Sequence, residues 1–370
     1  MISELMLNGI CAVILALLLA FTITPAVRAL AYIVGAIDVP KDNRRMHTKP
    51  IPRIGGLSIF IAFVVASLVF CRVDSRLMSV YLGGVLIVAV GVFDDIKPIN
   101  AWIKFLFQIF AACIPLFFGV KLEYIILLGN PINFGLWSIP LTILWIVGLT
   151  NAINLIDGLD GLACGVSAIS AISLFFITLI KGDAASAMLM AILAASCIGF
   201  LPFNSNPAKI FMGDTGALFL GYTLAVLSIE GVFKTHAILS FLAPIAVFAL
   251  PIFDTANAFT RRILKRKSPF SPDKNHLHHK LIKAGFSHRQ SVYIIYAICA
   301  VFGLAAVTFT GDNYFKALVI LITGLCVLGI YIALIHKYGF SAKNGFGIEA
   351  EKYDDLVNQT KTNDGSNEEE

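Results

Sequence analysis

The chain has 370 residues, 58% of them hydrophobic and only 14% charged, with a mean hydropathy of +0.84 and a formal net charge of +5. Soluble domains average nearer ~50% apolar and ~25% charged, so the composition excludes an ordinary soluble protein and points to an integral membrane one. The positive balance raises the question of a nucleic-acid partner. The basic residues fall in blocks between apolar runs, however, which argues against one.

Asn8 to Ala26 is strongly apolar, but Glu4 precedes it and Arg28 follows it, and the run is too long for a cleaved leader. It is expected to remain as the first span. Further apolar runs occur near 54–71, 77–93, 101–120, 138–153, 162–180, 184–203, 215–231, 237–258, 291–310 and 315–336. A spanning helix needs ~20 mostly apolar residues, so these runs predict an all-α polytopic protein with about eleven transmembrane helices. The segment 121–137, with Asn130-Pro131, is expected to form a short outer hairpin or re-entrant piece.

With the N-terminus outside and the C-terminus cytoplasmic, every Lys and Arg falls on the inner side except Arg72, Arg76, Lys121, Lys181, Lys234 and Lys316. That bias predicts a multi-pass protein of the inner (plasma) membrane in this orientation. Residues 1–336 form the membrane domain, and 337–370 form an acidic tail expected to be solvated and disordered. The seven cysteines lie in or beside apolar runs without paired spacing and are expected to be small core residues.

Five polar blocks interrupt this pattern, all on the predicted cytoplasmic side. The first, Asp38 to Gly56, is basic and stiffened by prolines, which suits phosphate holding or lipid anchoring equally. Asp94-Asp95 closes the third run, where an acidic pair at a helix C-terminus is unfavourable with the helix dipole. Carboxylates at membrane depth tend to be functional.

Asn151, Asn154 and Asp157 recur every three residues along one drifting helical stripe, followed by Gly158, Asp160 and Gly161. Amide oxygens and a carboxylate can there converge on one ligand; an Asn/Gly-rich turn is the alternative. The fourth block, Asn204 to Gly216, carries Asp214 and Thr215 before an apolar run, which fits either an N-cap or a phosphate or metal site. The fifth, Asp254 to Arg289, holds a basic run suited to anionic lipid and then His276, His278 and His279, suited to anion binding more than to zinc.

Together the blocks Lys49-Pro-Ile-Pro-Arg53-Ile-Gly55-Gly56, Asp94-Asp95, Asn151 to Gly161, Phe211-Met-Gly213-Asp214-Thr-Gly216 and Pro269 to His279 resemble, in order, those of the polyprenyl-phosphate N-acetylhexosamine 1-phosphate transferases. This is the family of the bacterial enzymes WecA, TagO and MraY, and five blocks in family order across 38 to 289 are highly specific. Pro269 to His279, with Ala284-Gly285-Phe286, resembles the WecA/TagO branch. Lys274 departs from the expected arginine; it keeps the charge and loses the bidentate fork.

The resemblance implies a cytoplasmic-face active site. There GlcNAc-1-phosphate passes from UDP-GlcNAc to a polyprenyl (undecaprenyl) phosphate, giving the lipid-diphosphate-sugar and UMP in the first membrane step of an envelope glycan such as lipopolysaccharide or teichoic acid. It implies Mg2+ as cofactor, with Mn2+ as the alternative ion, held by Asp214 and Asn154. Asp94 and Asp95 become the catalytic candidates that deprotonate or position the lipid phosphate. Asn151, Asp157 and Asp160 would shape the uridine and metal side, while Asp273, Lys274, His276, His278 and His279 would face the sugar diphosphate. Lys49 and Arg53 would hold phosphate. Another UDP-N-acetylhexosamine or UDP-MurNAc-pentapeptide is the alternative donor, a homodimer the expected assembly, and a membrane transporter the competing class. A transporter would place ionisable groups near the midplane in repeated halves, whereas here they crowd at helix ends and no repeat is found.

Overall fold

A computed structural model describes residues 2–39, 50–127, 130–229, 231, 242–266, 276–310 and 316–327, together with 329 and 333. Its helices are α1 (Ile2–Val34), α2 (Gly56–Phe70), α3 (Ser75–Ile96), α4 (Ala101–Phe117), α5 (Ser138–Ile156), α6 (Leu162–Ile180), α7 (Ala184–Asn204), α8 (Gly213–Ser228), α9 (Leu242–Val247), α10 (Ala249–Leu264), α11 (Leu277–Lys283) and α12 (His288–Thr310). A shorter apolar helix follows at Lys316–Val327. The protein is an all-α polytopic membrane protein. Six of these helical segments are long and apolar enough to cross a bilayer on their own, and α2 and α4 are shorter apolar helices.

At the centre stands α8. Every residue from Gly213 to Ser228 except Asp214 is buried, as expected for a helix that is apolar on all sides. Around it pack α2, α3, α5, α6 and α7. Gly56 of α2 and Gly216 of α8 sit so close that a Cβ on Gly56 would overlap Gly216, and Gly91 of α3 faces the backbone of Thr215 in the same way. Large apolar side chains on the periphery, such as Leu144 on α5 and Phe117 on α4, are exposed outward, as lipid-facing positions require.

The run 237–258, expected as one span, is broken. Among its described residues α9 ends at Val247 and α10 restarts at Ala249. Pro251 explains the break, because it has no N–H to offer the carbonyl of Val247 and its ring clashes with that carbonyl. The segment 121–137 contains a hairpin, with β3 (Tyr124–Leu127) antiparallel to β4 (Asn130–Asn133). A second small antiparallel pair, β1 (Ile37–Asp38) and β2 (Ile51–Pro52), brackets the first polar block. The seven cysteines are all free thiols. Residues 337–370 lie outside the described residues.

Candidate active site

The polar blocks meet at one end of the helix bundle, around the start of α8. The chain reaches α8 through Phe211 and Met212, whose carbonyls accept the N–H groups of Gly55 (2.9 Å) and Gly56 (2.8 Å). Pro52 O accepts in turn from Phe211 N at 2.8 Å, so the first polar block is stitched to the fourth. Gly213 then turns with φ +71°, a conformation that favours glycine, and a Cβ there would overlap the Arg53 carbonyl and the Asp95 carboxylate.

That geometry explains the acidic pair at the end of α3. Asp95 is 5% exposed and accepts from Asp214 N (3.0 Å), Thr215 N (3.0 Å) and Thr215 Oγ1 (2.7 Å), with Arg53 Nε at 3.7 Å. The free N–H groups that open α8 are therefore satisfied by a carboxylate from another helix. Its negative charge, unfavourable at its own helix end, sits at the favourable end of α8. Neither Asp214 nor Thr215 is the N-cap, because that position is Met212, without a side-chain cap.

Asp94 faces the other way. Its Oδ1 accepts from Ile99 N at 2.9 Å and its Oδ2 from Lys104 Nζ of α4 at 2.9 Å. Lys104 Nζ also donates to Asp214 Oδ2, so one ammonium bridges carboxylates from α3 and α8. On the far side of Asp214, Asn154 Nδ2 of α5 reaches Oδ1 at 3.1 Å. One turn further along α4, Gln108 Oε1 accepts from Asn151 Nδ2 at 2.5 Å, and Val147 O accepts from the same amide at 2.8 Å. The spacing of Lys104 and Gln108 puts both on one face of α4, matched by Asn151 and Asn154 on α5. In sequence Lys104 is one more basic residue on the inner side and Gln108 belongs to none of the five blocks. Two polar residues four apart in an apolar helix were the available signal.

Asp157 caps the end of α5. Burial, followed by the charges of Asp214 and Asp95, pushes its carboxyl up to about 8, while Arg53 pulls it back. Asp160 is engaged elsewhere: its Oδ2 accepts from Asn206 Nδ2 (2.9 Å) and Ala208 N (3.1 Å), and its own N–H donates to His288 Nε2 (2.9 Å). Arg289 adds two hydrogen bonds to Asn206 O. Asp160 thus clasps the α5–α6 turn, the α7–α8 turn and the start of α12 together.

The histidines come from the start of α11. His278 is 2% exposed and packs on Gly158, so closely that a Cβ at 158 would overlap its ring. His276 and His278 lie parallel, 2° apart with centroids at 5.9 Å, and His279 is tilted against His278 at 4.2 Å. Burial, then the neighbouring His279 and His276, push His278 down to about 4, so it is neutral at neutral pH. Lys49, Asp273 and Lys274 lie outside the described residues.

Against known proteins, the sequence profile described as Glycosyl transferase family 4 matches residues 77–232. The "Probable undecaprenyl-phosphate N-acetylglucosaminyl 1-phosphate transferase" of Bacillus subtilis is 40% identical over 87% of this chain and 90% of its own length. The chain belongs to glycosyl transferase family 4. The decaprenyl-phosphate N-acetylglucosaminephosphotransferase of Mycolicibacterium smegmatis is 35% identical, covering 83% of each chain. The undecaprenyl-phosphate alpha-N-acetylglucosaminyl 1-phosphate transferase of Escherichia coli is 30% identical over 87% of each. The family profile takes in Asp94, Asp95, Asn151, Asn154, Asp157, Asp160 and Asp214 and stops before the histidine row.

Proposed function

We propose that this family member transfers GlcNAc-1-phosphate from UDP-GlcNAc to a polyprenyl phosphate at the cytoplasmic face of the membrane, giving polyprenyl-diphosphate-GlcNAc and UMP. One observation carries the reading. Carboxylates from α3 and α8 converge on a single cation, Lys104, and an amide from α5 donates to the α8 carboxylate, at one end of an otherwise apolar bundle. The relatives' names supply the substrate class.

In this reaction an oxygen of the lipid phosphate forms a bond to the β-phosphorus of the sugar nucleotide. The bond from that phosphorus to the bridging oxygen breaks, and UMP leaves with that oxygen. A phosphate monoester with a second pKa near ~6 is already largely dianionic at neutral pH, so a strong base is not required. Alignment and charge neutralisation carry most of such a reaction.

The donor set suits magnesium, which takes few protein oxygens and completes its shell with phosphates and waters. Among the described residues no group of three His, Cys, Asp or Glu forms a closed cage. The pair of carboxylates already shared by one ammonium is instead the half-open arrangement such an ion needs. Asp214, with the amide oxygen of Asn154, would hold it, and when bound it would neutralise phosphate charge. Asp94 keeps Lys104 within reach of both carboxylates and so sets where a phosphate meets a cation. Asp157 and the histidine row flank the place left for the nucleotide and sugar.

Purified protein in nanodiscs, given labelled UDP-GlcNAc and undecaprenyl phosphate, should move label into a lipid extract and release UMP one for one. The transfer should disappear with a chelator and return with magnesium. Label that stays wholly in the aqueous phase with magnesium present rules the reading out.

A further inference from the structure

Asp254 stands apart from the carboxylate cluster, on the inward face of α10. Leu250, Asp254, Ala258 and Arg262 recur every four residues, and Leu250, Ala258 and Arg262 are all buried. A carboxylate on the inward face of a helix in a membrane protein is costly unless it has a specific partner. Here it has two. Its Oδ2 lies 2.9 Å from His276 Nδ1, and its Oδ1 accepts the backbone N–H of Leu277 at 3.0 Å. Both side chains are largely withdrawn from solvent, at 5% exposure for His276 and 12% for Asp254.

An ionised carboxylate can only accept, so the proton on this imidazole belongs to Nδ1 and leaves Nε2 as the ring's remaining nitrogen. The same carboxylate ties down the first residue of α11, which carries His278 and His279. His276 is stacked parallel to His278, and His278 rests on Gly158 beside Asp157. A chain of contacts therefore runs from Asp254 through the histidine row to the end of α5.

We propose that Asp254 is a positioning residue of the transferase site: it selects the Nδ1–H form of His276 and sets the histidine row against the Asp157-Gly158 turn. The inference rests on the transferase reading above. Asp254→Asn separates tautomer choice from shape. Its amide oxygen can still accept from Leu277 N, while its NH2 group donates to Nδ1 and drives the ring proton to Nε2.

The test uses the full chain in nanodiscs with 15N-labelled histidine, the His276 signals being assigned by their loss in His276→Ala. Wild type should show a protonated Nδ1 at His276, and Asp254→Asn a protonated Nε2. In the label-transfer assay Asp254→Asn should lower kcat by about 30–100-fold, but by less than about 3-fold in a His276→Ala background, since coupled residues are non-additive. An unprotonated Nδ1 in the wild type overturns the proposal, and that spectrum needs no variant to fold. An Asp254→Asn effect of equal size in both backgrounds overturns it as well. If wild type transfers no label, the transferase reading fails, and the tautomer spectra alone then decide the role of Asp254.

Discussion

The carboxylate side of the site and the His278 face opposed to Gly158 are held by different means. On the first, each charge has a charged or hydrogen-bonding partner: Asp94 and Asp214 share Lys104, and Asp95 takes three donors from the start of α8. On the second, His278 is held by packing alone, its Nδ1 buried without a partner and its ring against the Cα of Gly158. An ion-paired cluster can exchange one cation for another with little movement. A packed neutral ring responds to shape and is indifferent to salt. The first arrangement suits phosphate and metal, the second a planar or uncharged part of a ligand.

The comparison breaks most sharply at Asp214. Asp214→Asn keeps an oxygen for Asn154 but removes the charge that Lys104 and a divalent ion would share. Turnover in the label-transfer assay should fall by about 10³-fold or more, the scale expected when a group that stabilises developing charge is lost. Size-exclusion elution should match wild type, because the capping bonds at the start of α8 come from Asp95. Magnesium-dependent turnover within tenfold of wild type would falsify the role of Asp214.

The histidine side is tested through Gly158, where space rather than charge is the variable. Gly158→Ala places a methyl group inside the volume of the His278 ring, which is buried and must shift with the row behind it. An expected rise of about 10-fold in KM for UDP-GlcNAc, with a smaller change in kcat, follows from displacing a substrate-facing wall. Unchanged KM and kcat would separate the histidine row from the sugar-nucleotide site.

How far the sequence reached differs along the chain for physical reasons. Apolar runs are local, and among the described residues each of the eleven contains helix, with the break between α9 and α10 following from Pro251. The stripe of Asn151 and Asn154 is local too, and α5 carries both toward α4 and α8. The blocks of Asp95 and Asp160 read in sequence as ligand-facing. Their carboxylates are instead committed to backbone N–H groups 119 and 48 residues away, pairings that no local spacing encodes. The four-residue spacing of Lys104 and Gln108 is a local signal without a partner attached, and Asp254, a single carboxylate in an apolar helix, carries no motif. Their partners appear only once the helices pack.

A smaller effect separates the two sides by pH. A histidine in an unfolded chain titrates near ~6.5, whereas the folded protein holds His278 at about 4 by burial. Between those values the unfolded chain takes up a proton that the folded chain refuses. The contribution of His278 to stability is therefore intact above the unfolded value and is lost as pH falls toward the folded one. His278→Phe keeps a planar ring on Gly158 and removes the titration. On going from pH 7.5 to pH 5.0 in nanodiscs, wild type should lose about 2 °C more in Tm than His278→Phe, a shift on the scale of a one-proton linkage in a chain of this size. Carboxylates that titrate in the same range are common to both proteins, so the difference reports the histidine row and not the carboxylates. Parallel Tm curves for the two proteins would mean that the His278 ring takes up its proton as readily as in water, and that the packing on Gly158 does not keep it neutral.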